Sequence, residues 1–140
     1  MDTLVRPAEA ERRPRLSLLV LRILVTAYLV AVLGQPVLAG LFLTGDVDAI
    51  SVHAAVGSAL AAFGMVLIAA SLVYVLRRGR LWVLPAMVVL FLSVGLQVGM
   101  GYARTLQIHI PLGVAIVTSV VLLAIWVWSP SAARPRGGAR

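Results

Sequence analysis

The sequence predicts an all-α integral membrane protein, a bundle of four transmembrane helices in up-down-up-down order built from two degenerate helix hairpins. Three observations carry that expectation. The 140-residue chain is 61% hydrophobic and only 12% charged. Its apolar residues gather into four stretches, 16–43, 49–76, 81–102 and 106–128, each long enough for a hydrocarbon core that takes roughly 20 apolar residues to cross. The connections between them are short, which makes consecutive helices antiparallel neighbours.

In chain order, residues 1–15 mix Pro, Arg and Glu without an apolar period and read as a disordered tail. Residues 16–128 form one transmembrane domain, and 129–140, rich in Pro, Gly and Arg, read as a second disordered, basic tail. The first apolar stretch is too long for a cleavable signal peptide and lacks a small-residue cleavage site. Asp48 is expected to cap the second helix and Thr105 the fourth, each preceding an apolar run. Pro111 falls early enough in the fourth helix to be tolerated, with room for a kink beside His109. Trp82, Tyr102, Trp126 and Trp128 fall near helix ends, where amphipathic rings anchor at interfaces.

A net charge of +7 would suggest nucleic acid in a soluble protein. Here the placement of the arginines explains it better, and no nucleic acid is expected. Arg6, Arg12, Arg13 and Arg15 precede helix one, Arg77, Arg78 and Arg80 separate helices two and three, and Arg134, Arg136 and Arg140 follow helix four. All three segments lie on one side of the predicted bundle. The other side holds Asp46, Asp48 and Arg104, so the positive-inside rule predicts a multi-pass protein of the inner (plasma) membrane with both termini cytoplasmic. Arg22, two turns into helix one, can snorkel to the basic surface. The basic tail offers a second contact with anionic lipid. Arginine used without lysine is the usage of a GC-rich bacterial genome. With no cysteine, disulfides, thiolate metal ligands and covalent haem attachment are excluded.

The chemistry-bearing residues are few, and the two histidines stand out. His53 and His109 each lie about one turn inside an apolar stretch and are each followed four residues later by glycine, Gly57 and Gly113. The surrounding order repeats: Gln35, glycine, turn, His53 and Gly57, then Gln97, glycine, turn, His109 and Gly113. Membrane folds often place binding sites between such repeated units, and an intramembrane ionisable residue is a functional candidate by default.

Helices two and four occupy a diagonal of the predicted bundle, about 12–14 Å when neighbours pack 8–10 Å apart. Two facing imidazoles with one iron between them can bridge such a gap, with a porphyrin slotted between the helices. At 100° per residue Gly57 lies about 40° and Gly64 about 20° around the helix from His53. These three share a face, and with Gly113 they would let a macrocycle approach the backbone. Helix-to-helix packing is the alternative use of such glycines. Zinc takes four ligands, or three and a water, and no further cysteine or carboxylate is placed to complete its shell. Packing, proton relay and an unidentified ligand remain alternatives for the histidines. Gln35 and Gln97 can hydrogen-bond an imidazole or each other, or simply join helices one and three. Arg104 is the cation available to haem propionates on the outer side, or else an ordinary interfacial residue.

The pattern Leu96-Gln97-Val98-Gly99-Met100-Gly101, an outer turn and His109 at the head of the next helix resembles a half of the heme A synthase family. That family resembles two fused four-helix bundles, each with a histidine pair on its second and fourth helices. The resemblance covers roughly 33–120 and implies that His53 and His109 are an axial pair. Its substrate-haem half carries a glutamate near the first histidine, commonly an arginine just after it, and often a cysteine pair. Here Ile50 and Ala54 stand at those places and cysteine is absent. The resemblance is therefore closer to the prosthetic-haem half, and heme A synthesis by this chain alone is not expected.

The resulting expectation is a small b-type cytochrome with one noncovalent haem b for electron transfer or haem handling. Quinol or a redox protein would be its electron partner, and any enzymatic role stays open. The alternative is a cofactor-free interaction protein, an accessory subunit of a larger membrane complex or a homodimer, for which Gly95 and Gly99 offer a Gly-x-x-x-Gly pair. A proton-coupled exporter has less support, since such exporters rely on a carboxylate within a helix.

Overall fold

The computed structural model describes residues 15–137. Four long helices, α1 (Leu16–Leu43), α2 (Asp48–Leu76), α3 (Val83–Tyr102) and α4 (Leu106–Trp128), are followed by a short α5 (Pro130–Ala133), with no strand among the described residues. All four long helices have the length and apolar composition to cross a membrane. Even α3, with 20 residues, spans about 30 Å at 1.5 Å per residue. α1 packs on α2 and α4, and α3 does the same, so α2 and α4 lie on one diagonal. The bundle runs up-down-up-down.

Each helix turns one stripe inward. On α2 the buried residues are Leu60, Gly64, Leu67, Ser71 and Tyr74, continuing the face that carries His53 and Gly57. On α4 they are Ile116, Val120, Leu123, Ala124 and Val127, below His109 and Gly113. Tyr28, Leu21, Leu67, Met87 and Val120 form the most enclosed part of the core.

The three turns share one device. The chain leaves α1, α2 and α3 with left-handed residues, Gly45 (φ 106°), Arg78 (φ 64°) and Arg104 (φ 54°). The next amide reaches back five residues in each case: Asp46 N to Leu41 O, Gly79 N to Tyr74 O and Thr105 N to Met100 O, at 2.9–3.1 Å. These bonds satisfy carbonyls that a helix end would otherwise leave open to hydrocarbon. Gly79 lies flat against the Tyr74 ring, where a side chain would collide.

The helix ends depart from the sequence expectation in three places and the C-terminal segment in a fourth. α3 begins at Val83 rather than 81, because Leu81 and Trp82 belong to the turn that delivers the Val83 amide to Arg80 O. The cap of α2 is Asp46, whose Oδ1 accepts the amides of Asp48 and Ala49 at 3.2 and 3.3 Å, while Asp48 is already helical. Thr105 does hold the N-cap position of α4, but its side chain makes no cap bond. Arg22 extends towards the basic end as expected, where its Nε donates to Val127 O at 2.8 Å and its guanidinium lies 5.0 Å from the Trp128 ring centre. A cation at the carbonyl end of α4 is favoured by the helix dipole.

The fourth correction concerns 129–140, expected to be disordered. Ser129 to Gly137 instead fold across the basic end of the bundle, and 1–14 and 138–140 lie outside the described residues. Ala132 is buried, and the Tyr74 hydroxyl donates to its carbonyl at 2.8 Å. The Arg136 amide donates to Arg78 O at 2.8 Å. Composition suggested disorder, but one small apolar side chain has a socket to fill. Trp126, expected as an anchor, is half-buried beside Trp82 and Tyr74, with ring centres 4.5 and 6.4 Å away.

Tyr74→Phe should remove a buried hydrogen bond, leave the Ala132 carbonyl unpaired and lower stability by about 1–3 kcal/mol. The measurement is proteolysis after Arg136 together with the thermal midpoint. Faster cleavage is expected, and unchanged protection would contradict this docking.

Candidate cofactor site

His53 lies in the second turn of α2 and His109 at the end of the first turn of α4, so parallel diagonal helices bring both to one end of the bundle. Both side chains are half-buried. Their ring centres are 6.1 Å apart and their planes are inclined by 56°.

Each ring is fixed by a carbonyl on the preceding helix. His53 Nδ1 lies 3.1 Å from Gln35 O, and His109 Nδ1 lies 2.9 Å from Gln97 O. A carbonyl can only accept, so each Nδ1 carries the proton, and in a neutral imidazole each Nε2 then keeps its lone pair. A histidine that ligates a metal commonly has its other nitrogen hydrogen-bonded in this way.

The repeat seen in the sequence is therefore a repeat of contacts. The two glutamines contribute differently from expectation: their main chains, rather than their amides, meet the imidazoles. Their side chains lie beside the glycines four residues below each histidine. A Cβ built at Gly57 would be 3.9 Å from Gln35 Oε1, and one built at Gly113 would be 2.9 Å from Gln97 Nε2. Gln35 Nε2 and Gln97 Oε1 are buried without a hydrogen-bond partner, as is the Tyr28 hydroxyl seven residues below Gln35 on α1. Unpaired polar atoms in such an interior are costly, roughly 1–3 kcal/mol each.

The glycines divide into two kinds. At Gly64 and Gly113 the space freed by the missing side chain is taken up, by Phe91 Cδ2 at 2.9 Å from a built Cβ and by Gln97. At Gly57 a Cβ would meet only ordinary contacts, Val98 at 3.8 Å being the nearest. The α2 face is thus filled at Gly64, while beside His53 it has ordinary clearance for a Cβ at Gly57. Arg104 stands in the exposed turn between α3 and α4, at the same end of the bundle as both histidines, with the left-handed backbone described above.

One residue of the site was not singled out from the sequence. A Cβ at Gly101 would fall 3.0 Å from His109 Cε1. Residues four apart share a helix face, so a side chain at 101 would cover the Gln97 carbonyl that His109 uses. The corresponding position after Gln35 is Ala39, also small. A small residue four positions after each glutamine is the signal that could have found it.

The separation of the rings tests what they can share. A metal bonded to one nitrogen of each imidazole at about 2 Å, with each nitrogen about 1 Å from its ring centre, puts the centres about 6 Å apart. The 6.1 Å between the ring centres is of that order. No group of three or more His, Cys, Asp or Glu is gathered for a metal among the described residues. No protein-family model, curated protein or solved structure matches the chain.

Gly101→Val should push His109 off the Gln97 carbonyl while leaving His53 on Gln35. Nitrogen NMR of the imidazoles reads this directly: the Nδ1-H tautomer should be lost for His109 alone. Retention of that tautomer by His109 would show that the clearance at Gly101 is not required.

Proposed function

We propose that this chain is a small membrane cytochrome of b type, holding one noncovalent haem b between His53 and His109. The observation that carries the reading is the pair of imidazoles 6.1 Å apart, each with its Nδ1 on a glutamine carbonyl and its Nε2 free for iron. The reading is in keeping with the resemblance of Leu96 to Gly101 and His109 to half of the heme A synthase family, which rests on those residues alone. Bound haem supplies a one-electron couple, and two histidine ligands leave no open iron position, which favours electron transfer or haem handling over oxygen activation.

The chain's own residues have defined tasks in this reading. The carbonyls of Gln35 and Gln97 orient the rings and raise their basicity as ligands. Gly57 puts no side chain between the α2 backbone and a macrocycle held by His53, and the amides of Gln35 and Gln97 have buried, unpaired atoms at the same end. Arg104 serves the propionates. It holds a left-handed backbone that glycine would adopt at less cost, a strain of the kind that collects at functional positions.

The same proposal places the protein in the plasma membrane of a bacterium with both termini in the cytoplasm. Arg15, Arg77, Arg78, Arg134 and Arg136 converge on one end, tied by Arg15 to Arg77 O and Arg136 to Arg78 O, and basic ends face the cytoplasm. The haem would then lie near the outer face, exchanging electrons with quinol or an outer redox protein. A second reading, a cofactor-free partner subunit or homodimer, draws on Gly95 and Gly99, whose positions on exposed α3 have open space where side chains would be.

Replacing His53 or His109 with Ala should cause haem loss or a high-spin spectrum, and the double variant should retain no specific haem. Absorption and haem per polypeptide, in membrane-inserted protein at equal expression, are the readouts. A double variant with the wild-type spectrum would exclude the pair as ligands and leave the partner-subunit reading ahead.

Arg104→Gly separates stability from function. It should raise the thermal midpoint by relieving a left-handed arginine, by about 1 kcal/mol, while weakening haem retention. Increased stability with unaltered retention would remove Arg104 from the site.

A further inference from the structure

At the basic end of the bundle a groove of about 650 Å³ runs between α1 and α2. That volume falls within the roughly 300–1,000 Å³ typical of ligand clefts. Its walls include Val20 and Leu24 of α1 and Val66, Ala70 and Val73 of α2. From Arg15 to Leu24 it extends about 14 Å along the helix at 1.5 Å per residue. Arg15 and Arg77 close its mouth.

The Arg15 guanidinium donates to Arg77 O at 2.5 Å and to Ala133 O at 3.4 Å. With five N–H donors on the group, further ones are left over. The Arg77 side chain is exposed. Arg78 and Arg136 adjoin the mouth through the bond between their main chains. Among the described residues the only side-chain carboxylates are Asp46 and Asp48, at the far end of the 29-residue α2. The arginines therefore have no carboxylate at their end of the described chain to balance them.

The geometry points to a seat for an anionic phospholipid, its phosphate between Arg15 and Arg77 and one acyl chain along the α1–α2 groove. Charge selects this occupant. A second copy would bring its own arginines against these, and like charges at one interface repel. The groove between α3 and α4, about 390 Å³, contains Ser93 and Ser119 as its polar side chains and no cation to select a headgroup.

The test is to purify the full chain in detergent with equal amounts of phosphatidylglycerol and phosphatidylcholine and count retained lipids by native mass spectrometry. The wild type should keep one phosphatidylglycerol in clear preference to phosphatidylcholine. Replacing Arg15 and Arg77 together with Gln should weaken that preference about fivefold per arginine removed. Val73→Trp should fill the groove and expel the lipid with both arginines in place, an arm that stands even if the arginine variant misfolds. An Arg80→Gln, Arg134→Gln variant should keep the lipid. Unaltered retention in Val73→Trp, equal loss in the Arg80 and Arg134 control, or a dimer that Val73→Trp dissociates would each overturn the proposal.

Discussion

An imidazole inside an apolar bundle must find a hydrogen-bond partner, and a helix hides nearly every carbonyl behind its own ladder. The two Nδ1–carbonyl bonds at Gln35 and Gln97 resolve this conflict, and the arrangement of the histidine end follows from them. A carbonyl already engaged in a helix has a second lone pair, reachable only where the residue four positions later is small. Gly101 meets that requirement for His109, and Ala39 occupies the equivalent place opposite His53. With both Nδ1 atoms engaged, the two rings stand 6.1 Å apart at one end of the bundle.

The opposite end is built on other terms. Arg22 on Val127 O, Tyr74 on Ala132 O and Arg136 on Arg78 O join α1, α2, α4 and the C-terminal segment through main-chain carbonyls. Three helices end in left-handed turns that recover their last carbonyls, two of them on arginine in place of glycine. The molecule is thus fastened at its basic end, whereas its histidine end keeps buried, unpaired amide atoms.

Much of this was legible in the chain. Hydropathy alone set Leu16–Leu43 and Leu106–Trp128, because the polar residues within them, such as Arg22, Gln35 and His109, are too few to break the apolar runs, and short turns placed α2 and α4 on a diagonal. The face shared by His53, Gly57 and Gly64 followed from helical period. What stayed hidden depended on three-dimensional fit. No pattern announces that glutamine works through its main chain, that Phe91 fills the space beside Gly64, or that Ala132 has a socket under Tyr74. Asp48 was the expected cap of α2, and only the path of the turn shows that Asp46, two residues earlier, does the capping.

The central claim is that these two histidines hold one haem, and the haem content of the wild-type chain tests it most directly. Protein purified from haem-replete cells should carry one haem per polypeptide, with a low-spin spectrum in both oxidised and reduced states. A helical, correctly inserted protein that is colourless would contradict the account.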